Sequence, residues 1–221
     1  MNSDFLFTSF NTKDAVVWID PLDGTSEFVK GNLSSVTVLI GVAICGMSKI
    51  GIVHTPFLEE NPMYGRTLFG TMEHGAFKLY YDENAAKRDM LQRSPEYIDP
   101  FDFKTKLDSK HVFKLSSTPS HQYGTIKEVL HHAKPTQIKL HSGAGNKCSY
   151  LIMGELEVYF ALGLSYWDIC GPEVIVKAMG GCATDIFERP LFYDIEARQH
   201  QIKGLILTKT PGHHKLLVKR L

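Results

Sequence analysis

The chain has 221 residues, with 24 basic side chains set against 24 acidic ones and a formal charge of zero. That length suits one large domain or two small lobes on a shared core, and 43% hydrophobic with 22% charged residues excludes a disordered chain. The charge balance argues against a surface that grips nucleic acid or anionic lipid, and no apolar run approaches the ~20 residues of a bilayer-spanning helix.

In chain order, Ala15–Ile19 reads as a short buried strand ending at Asp20. Ser35–Cys45 is β-branched, Gly46 breaks it and Lys49–His54 resumes, which predicts a hairpin with its turn near Cys45–Ser48. Glycine and proline punctuate Pro56 to Phe77. The charged stretch Asp82–Lys110 reads as a surface loop joining two lobes, residues 1–110 and 111–221. In the second lobe His111–Ser116, Gln137–His141, Leu156–Leu162 and Ile202–Thr208 read as strands. Between them Tyr123–His132, Ala144–Met153 and Gly171–Met179 read as helices, stopped by Pro135, Gly154 and Gly180-Gly181. That alternation predicts an α/β layer. Cys45, Cys148, Cys170 and Cys182 show no CxxC spacing and read as reduced core thiols. With no basic signal region at the N-terminus, the expected compartment is the cytoplasm.

The sharpest motif is Trp18-Ile19-Asp20-Pro21-Leu22-Asp23-Gly24-Thr25. Two carboxylates stand three residues apart where a buried strand ends, and Pro21 holds Asp20 extended or in a turn. Hard divalent cations prefer carboxylate and carbonyl oxygens, so Asp20, Asp23 and the Leu22 carbonyl are candidate ligands of one or two ions. A D-x-x-D turn with an Asx-type bond explains the same residues without a metal. A second feature is Trp167-Asp168 ahead of Ile169-Cys170-Gly171-Pro172-Glu173, with Pro172 suited to a first helical position. Asp168 then either caps that helix or joins the metal cluster. The pairs His131-His132 and His213-His214 do not share a helical face and are not read as metal ligands. His141, ahead of Ser142-Gly143, reads as strand-end packing, with a place at the border of the pocket as the alternative.

Taken together, WIDPLDGT and WDICGPEVIVKAMGG resemble the two signatures of the Mg²⁺-dependent, lithium-sensitive inositol monophosphatase superfamily. The segments STPSH (117–121) and GAGNK (143–147) are similar, more narrowly, to its 3′(2′),5′-bisphosphate nucleotidases. The resemblance implies a layered α-β-α-β sugar-phosphatase fold and two or three Mg²⁺ ions held by Asp20, the Leu22 carbonyl, Asp23 and Asp168. It implies that Thr25 orients the attacking water and that Gly24 and Ser26 border the scissile phosphate. It also places Ser120, His121, Gly143, Gly145 and Lys147 against a small nucleotide substrate, with no nucleic-acid or membrane partner. Pro119 stands where these nucleotidases usually carry arginine.

The family pattern continues upstream of WIDPLDGT with paired helices, a Gly-Glu-Glu motif that supplies a metal-binding glutamate, and an aspartate that pairs with the threonine. Here nineteen residues precede Asp20, and their only acids are Asp4 and Asp14. The expectation is therefore an N-terminally truncated chain lacking the first helical layer. A partner chain or a missing N-terminal segment would complete the site. Three activities stay open: a 3′-nucleotidase, an inositol phosphate phosphatase, and a catalytically impaired protein that binds nucleotides or a partner.

Overall fold

The computed structural model describes residues 11–59, 63–82, 94–102, 107, 113–117, 124–194, 196 and 201–221. A six-stranded antiparallel sheet runs in chain order through β1 (Ala15–Asp23), β2 (Thr37–Ile44), β3 (Met47–Thr55), β4 (Tyr64–Thr71), β5 (Gly75–Asp82) and β6 (Glu96–Ile98). The predicted hairpin is β2–β3. Its two turn residues have positive φ, Cys45 at 51° and Gly46 at 74°, as a two-residue primed turn requires. Cys45 is accordingly exposed at a turn rather than in the core, while Cys148 and Cys170 are buried as expected. The β4–β5 hairpin escaped the sequence reading because its glycines and polar residues mask the alternation.

A second sheet has the order β11-β13-β9-β7-β8, built from β7 (Lys114–Ser117), β8 (Gln137–Leu140), β9 (Val158–Ala161), β11 (Cys182–Thr184) and β13 (Leu205–Thr208). Strand β7 pairs parallel with both β8 and β9. A short antiparallel pair, β10 (Leu164–Ser165) and β12 (Gln201–Ile202), stands apart. The helices are α1 (Thr25–Val29), α2 (Thr125–Ala133), α3 (Ala144–Ile152), α4 (Tyr166–Ala178) and α5 (Pro211–Arg220). Helix α5 was not foreseen, although Thr210 caps it by accepting the His213 N–H and Pro211 opens it.

The layering is visible in which side chains meet. On β9, Tyr159 and Ala161 join the core formed with the inner face of the first sheet, α3 and α4. Val158 and Phe160 point the other way, into a second core with α2 and α5. This period of two is what a strand covered on both faces produces. Helix α4 lies directly on β2 and β3 because three glycines meet there. A Cβ on Gly51 would fall 2.0 Å from the Gly171 carbonyl oxygen, and one on Gly41 2.5 Å from the Gly171 nitrogen. Helix α4 also starts at Tyr166, five residues before the expected Gly171, so Pro172 lies inside the helix and not at its first position. The buried start of the helix supplies the energy that propensity lacks, and Pro172 only removes one bond to the carbonyl of residue 168.

The opposite face of the first sheet is apolar as well. Its register aligns Ile19, Ile40, Ile52, Phe69, Phe77 and Tyr97 in one cross-strand row over all six strands. Val17, Ile19, Ile50 and Tyr97 on this face are 43–55% exposed. The expected layered α/β architecture matches these sheets and helices. No helix among the described residues is long and apolar enough to cross a membrane.

Candidate active site

Strand β1 does not stop at Asp20. It continues through Pro21 to Asp23, but its register against β2 shifts: Asp20 pairs with Leu39 and Asp23 with Thr37. Three residues of β1 are thus taken up against two of β2, a bulge of the kind that re-aims side chains. Pro21, without an N–H, sits in the unpaired stretch where it costs no ladder bond. Within the bulge the Leu22 N–H donates to Asp20 Oδ1 at 3.0 Å. The Asx-type turn and the acidic cluster are therefore the same structure, not alternatives.

Asp168 reaches the cluster from the first turn of α4, where its Oδ2 accepts the Ser165 N–H at 2.6 Å. The two elements are pinned together by Trp18, whose ring stands edge-on to Tyr166 with centroids 5.2 Å apart. Asp20, Asp23 and Asp168 each bring one carboxylate oxygen within 4.8 Å of the others. Asp23 is the fixed member: it accepts Thr37 Oγ1 (2.7 Å), the Ala144 N–H (3.0 Å) and the Gly145 N–H (2.8 Å). The N-terminal amides of α3 thereby hold a carboxylate of the cluster itself.

This convergence is electrostatically unfavourable without a cation. Burial pushes the Asp168 carboxyl from its ordinary 3.8 up to about 6, against the lowering effect of the Ser165 N–H, and the neighbouring Asp23 and Asp20 charges add to the rise. Asp20 is raised as well, first by burial and then by Asp23. The nearby Lys147 ammonium is only 3% exposed. Burial lowers its pKa, and the attraction of Asp23 and Asp168 opposes that. Three hard oxygen donors with excess negative charge fit a divalent cation of the Mg²⁺, Mn²⁺ or Ca²⁺ type. The cluster can hold a metal ion.

The other sequence candidates take different places. Thr25 and Ser26 are exposed on α1, and the Thr25 hydroxyl donates to the Leu22 carbonyl at 2.9 Å, leaving that oxygen a second lone pair. Gly24 and Gly143 enclose the Ser35 carbonyl, since a Cβ on either would lie 2.8 Å from its oxygen, and both have positive φ. Gly145 is packed on Thr37 and Leu39 with its N–H taken by Asp23. Lys147 points inward, its Nζ 3.4 Å from the His141 carbonyl and over the Tyr159 ring. Ser120 and His121, with Pro119, lie outside the described residues. Two site residues were missed. Thr37 is fully buried against Asp23, and a lone hydroxyl inside the apolar run VTVLIG was its only sign. Ser165 begins a Ser-x-x-Asp capping pattern that the sequence does display.

An acidic cluster of this geometry, between an antiparallel sheet and the N-termini of two buried helices, is of the kind that can hold a divalent cation. The sequence pattern of the inositol monophosphatase family matches residues 7–220, and the chain belongs to that family. It is 34% identical over 206 residues to 3′(2′),5′-bisphosphate nucleotidase 1 of Rattus norvegicus, covering 90% of this chain and 59% of that protein. The Homo sapiens protein of the same name is 33% identical, with 91% and 60% covered. Inositol monophosphatase 3 of Danio rerio is 30% identical, with 93% and 53% covered. The chain thus spans about 59% of the length of the rat relative. Among solved structures, inositol-monophosphate-bound SaIMPase-II aligns with a TM-score of 0.70 at 19% identity, covering 96% of this chain and 70% of that one. CysQ from Bacteroides thetaiotaomicron, a bacterial member of the family, aligns at 0.68 and 21%, with 88% and 70% covered. These structures establish the shared fold.

Proposed function

We propose that this chain is a Mg²⁺-dependent phosphomonoesterase that removes the 3′-phosphate of 3′-phosphoadenosine 5′-phosphate, giving AMP and phosphate. The observation that carries this reading is the convergence of Asp20, Asp23 and Asp168 on one point. The nucleotidase names of the rat and human relatives support the substrate. Asp20, Asp23, Asp168 and the Leu22 carbonyl would hold Mg²⁺, which when bound would supply Lewis acidity toward the phosphoryl group and a lowered pKa for water.

The chain's own groups do the positioning. Asp23, locked by three hydrogen bonds, keeps its place while charge redistributes. The exposed Thr25 hydroxyl, already directed by the Leu22 carbonyl, accepts and orients the attacking water. Backbone amides around Gly24 and Ser26 receive the scissile phosphate, and Gly143 lets the chain pass close to it. The Lys147 ammonium offsets the acid cluster from beneath, and Ser120 and His121 meet the nucleotide. We place the protein in the cytoplasm with a small-molecule partner.

The test is phosphate release from 3′-phosphoadenosine 5′-phosphate with and without Mg²⁺, compared with an Asp20→Asn/Asp23→Asn double variant and with inositol monophosphate as the competing substrate. Mg²⁺-dependent release that the double variant loses is the expected result. Equal release by both proteins removes the enzyme reading, and preference for inositol monophosphate moves the substrate.

A further inference from the structure

The second sheet contains a reversal of strand order. From β7 the chain crosses through α2 to β8 on one side, then through α3 to β9 on the other, so β7 lies between its two parallel successors. The two crossover helices pack on opposite faces, α2 in one core and α3 in the other. In open α/β sheets such a switch point opens a crevice beyond the carboxyl ends of the strands, where ligands bind. The first residue past the end of β8 is His141.

His141 is half-buried and held flat. Its ring stacks on Tyr150 of α3, with centroids 4.1 Å apart and planes 24° from parallel. Its Nδ1 lies 3.4 Å from Ser116 Oγ at the end of β7, and that hydroxyl donates to the Lys139 carbonyl. Its own carbonyl accepts Lys147 Nζ at 3.4 Å. Burial lowers the imidazole pKa, and Lys139 and Lys147 repel a proton further, so the ring is a neutral aromatic surface at physiological pH. Only Ser142 separates it from Gly143 beside the acid cluster, a distance of about 7 Å of chain at most. That is within the span of a nucleoside.

We propose that the His141–Tyr150 stack is the platform against which the base of a nucleotide ligand rests, making His141 a specificity residue for nucleotides over base-free sugar phosphates. The proposal rests on the nucleotide reading of the site. A flat neutral ring offers a π-face to any base, and removing such a ring costs roughly tenfold in affinity.

The experiment measures binding of 5′-AMP and ribose 5-phosphate to the full chain with Mg²⁺ by calorimetry, for wild type, His141→Ala, His141→Phe and Tyr150→Leu. Thermal melts confirm that each variant folds. The expected pattern is tighter binding of AMP than of ribose phosphate by wild type. His141→Ala should lose about tenfold for AMP alone, His141→Phe should retain AMP, and Tyr150→Leu should fall between. Equal losses for both ligands in His141→Ala would show that the ring only props the Gly143 loop, and overturn the platform. Equal wild-type affinity for the two ligands overturns it too, while leaving a sugar-phosphate phosphatase intact. Failure of both ligands to bind overturns the nucleotide reading and the platform with it.

Discussion

Replacing Asp168 by asparagine tests whether the acid cluster is a strained cation site. The folded carboxyl is raised from 3.8 to about 6. A group raised in this sense binds its proton more tightly folded than unfolded, so its contribution is intact below pH 4 and is lost as pH climbs through 6. Two pKa units correspond to about 3 kcal/mol of strain at neutral pH, an upper figure for a side chain that retains some contact with solvent. The Asp168→Asn substitution removes the charge but keeps an oxygen to accept the Ser165 N–H. The metal-free variant should therefore melt roughly 4–10 °C above wild type at pH 7.5. The gain should shrink to nothing by about pH 4. Millimolar Mg²⁺ should raise the wild-type midpoint and leave the variant nearly unmoved. Scanning fluorimetry across pH, with and without Mg²⁺, reads all three effects. A variant that is less stable than wild type at every pH would show that Asp168 acts as a structural cap. Equal Mg²⁺ stabilisation of both proteins would show that the ion binds elsewhere.

Asp23→Ala leaves the Thr37 hydroxyl and the Ala144 and Gly145 amides without their acceptor, so urea unfolding should show a loss of about 3 kcal/mol or more, whereas Thr37→Val should lose about 1 kcal/mol. Equal small losses for the two would mean the α3 amides have another partner. Gly51→Ala forces a methyl to within 2.0 Å of the Gly171 oxygen. It should lower the melting point by several degrees through separation of α4 from the sheet, and an unchanged melt would contradict the close packing. Ile50→Lys, on the outer face and 43% exposed, should cost less than about 0.5 kcal/mol and should reduce binding of an apolar dye such as ANS. Unchanged dye binding would mean the outer face is covered in solution.

Local patterns were legible wherever one residue type had one physical use. The β-branched run Ser35–Cys45 with Gly46 marked the first hairpin, and Ala144 to Gly154 marked α3, because periodicity and a glycine stop survive in any context. Helix α4 was misjudged at its start for a tertiary reason. Tyr166 and Ile169 are buried against β1 and its neighbours, and that burial extends the helix ahead of Pro172. Strand β1 was cut short for a similar reason, since only its pairing with β2 reveals that Pro21 lies in a bulge.

The sequence by itself determined the chemistry available: two aspartates around Pro21, a third before a buried helix, and glycines where the chain must turn or pass closely. Those are properties of residue type and spacing. Only the tertiary structure decided how they are used. It brought Asp168 to Asp20 and Asp23 from more than 140 positions away in the chain. It assigned the α3 amides to Asp23 and turned the Lys147 ammonium inward. It also set His141 flat on Tyr150 at a strand-order switch. Such pairings depend on sheet register and helix docking, which are fixed by burial summed over the whole core and leave no local trace.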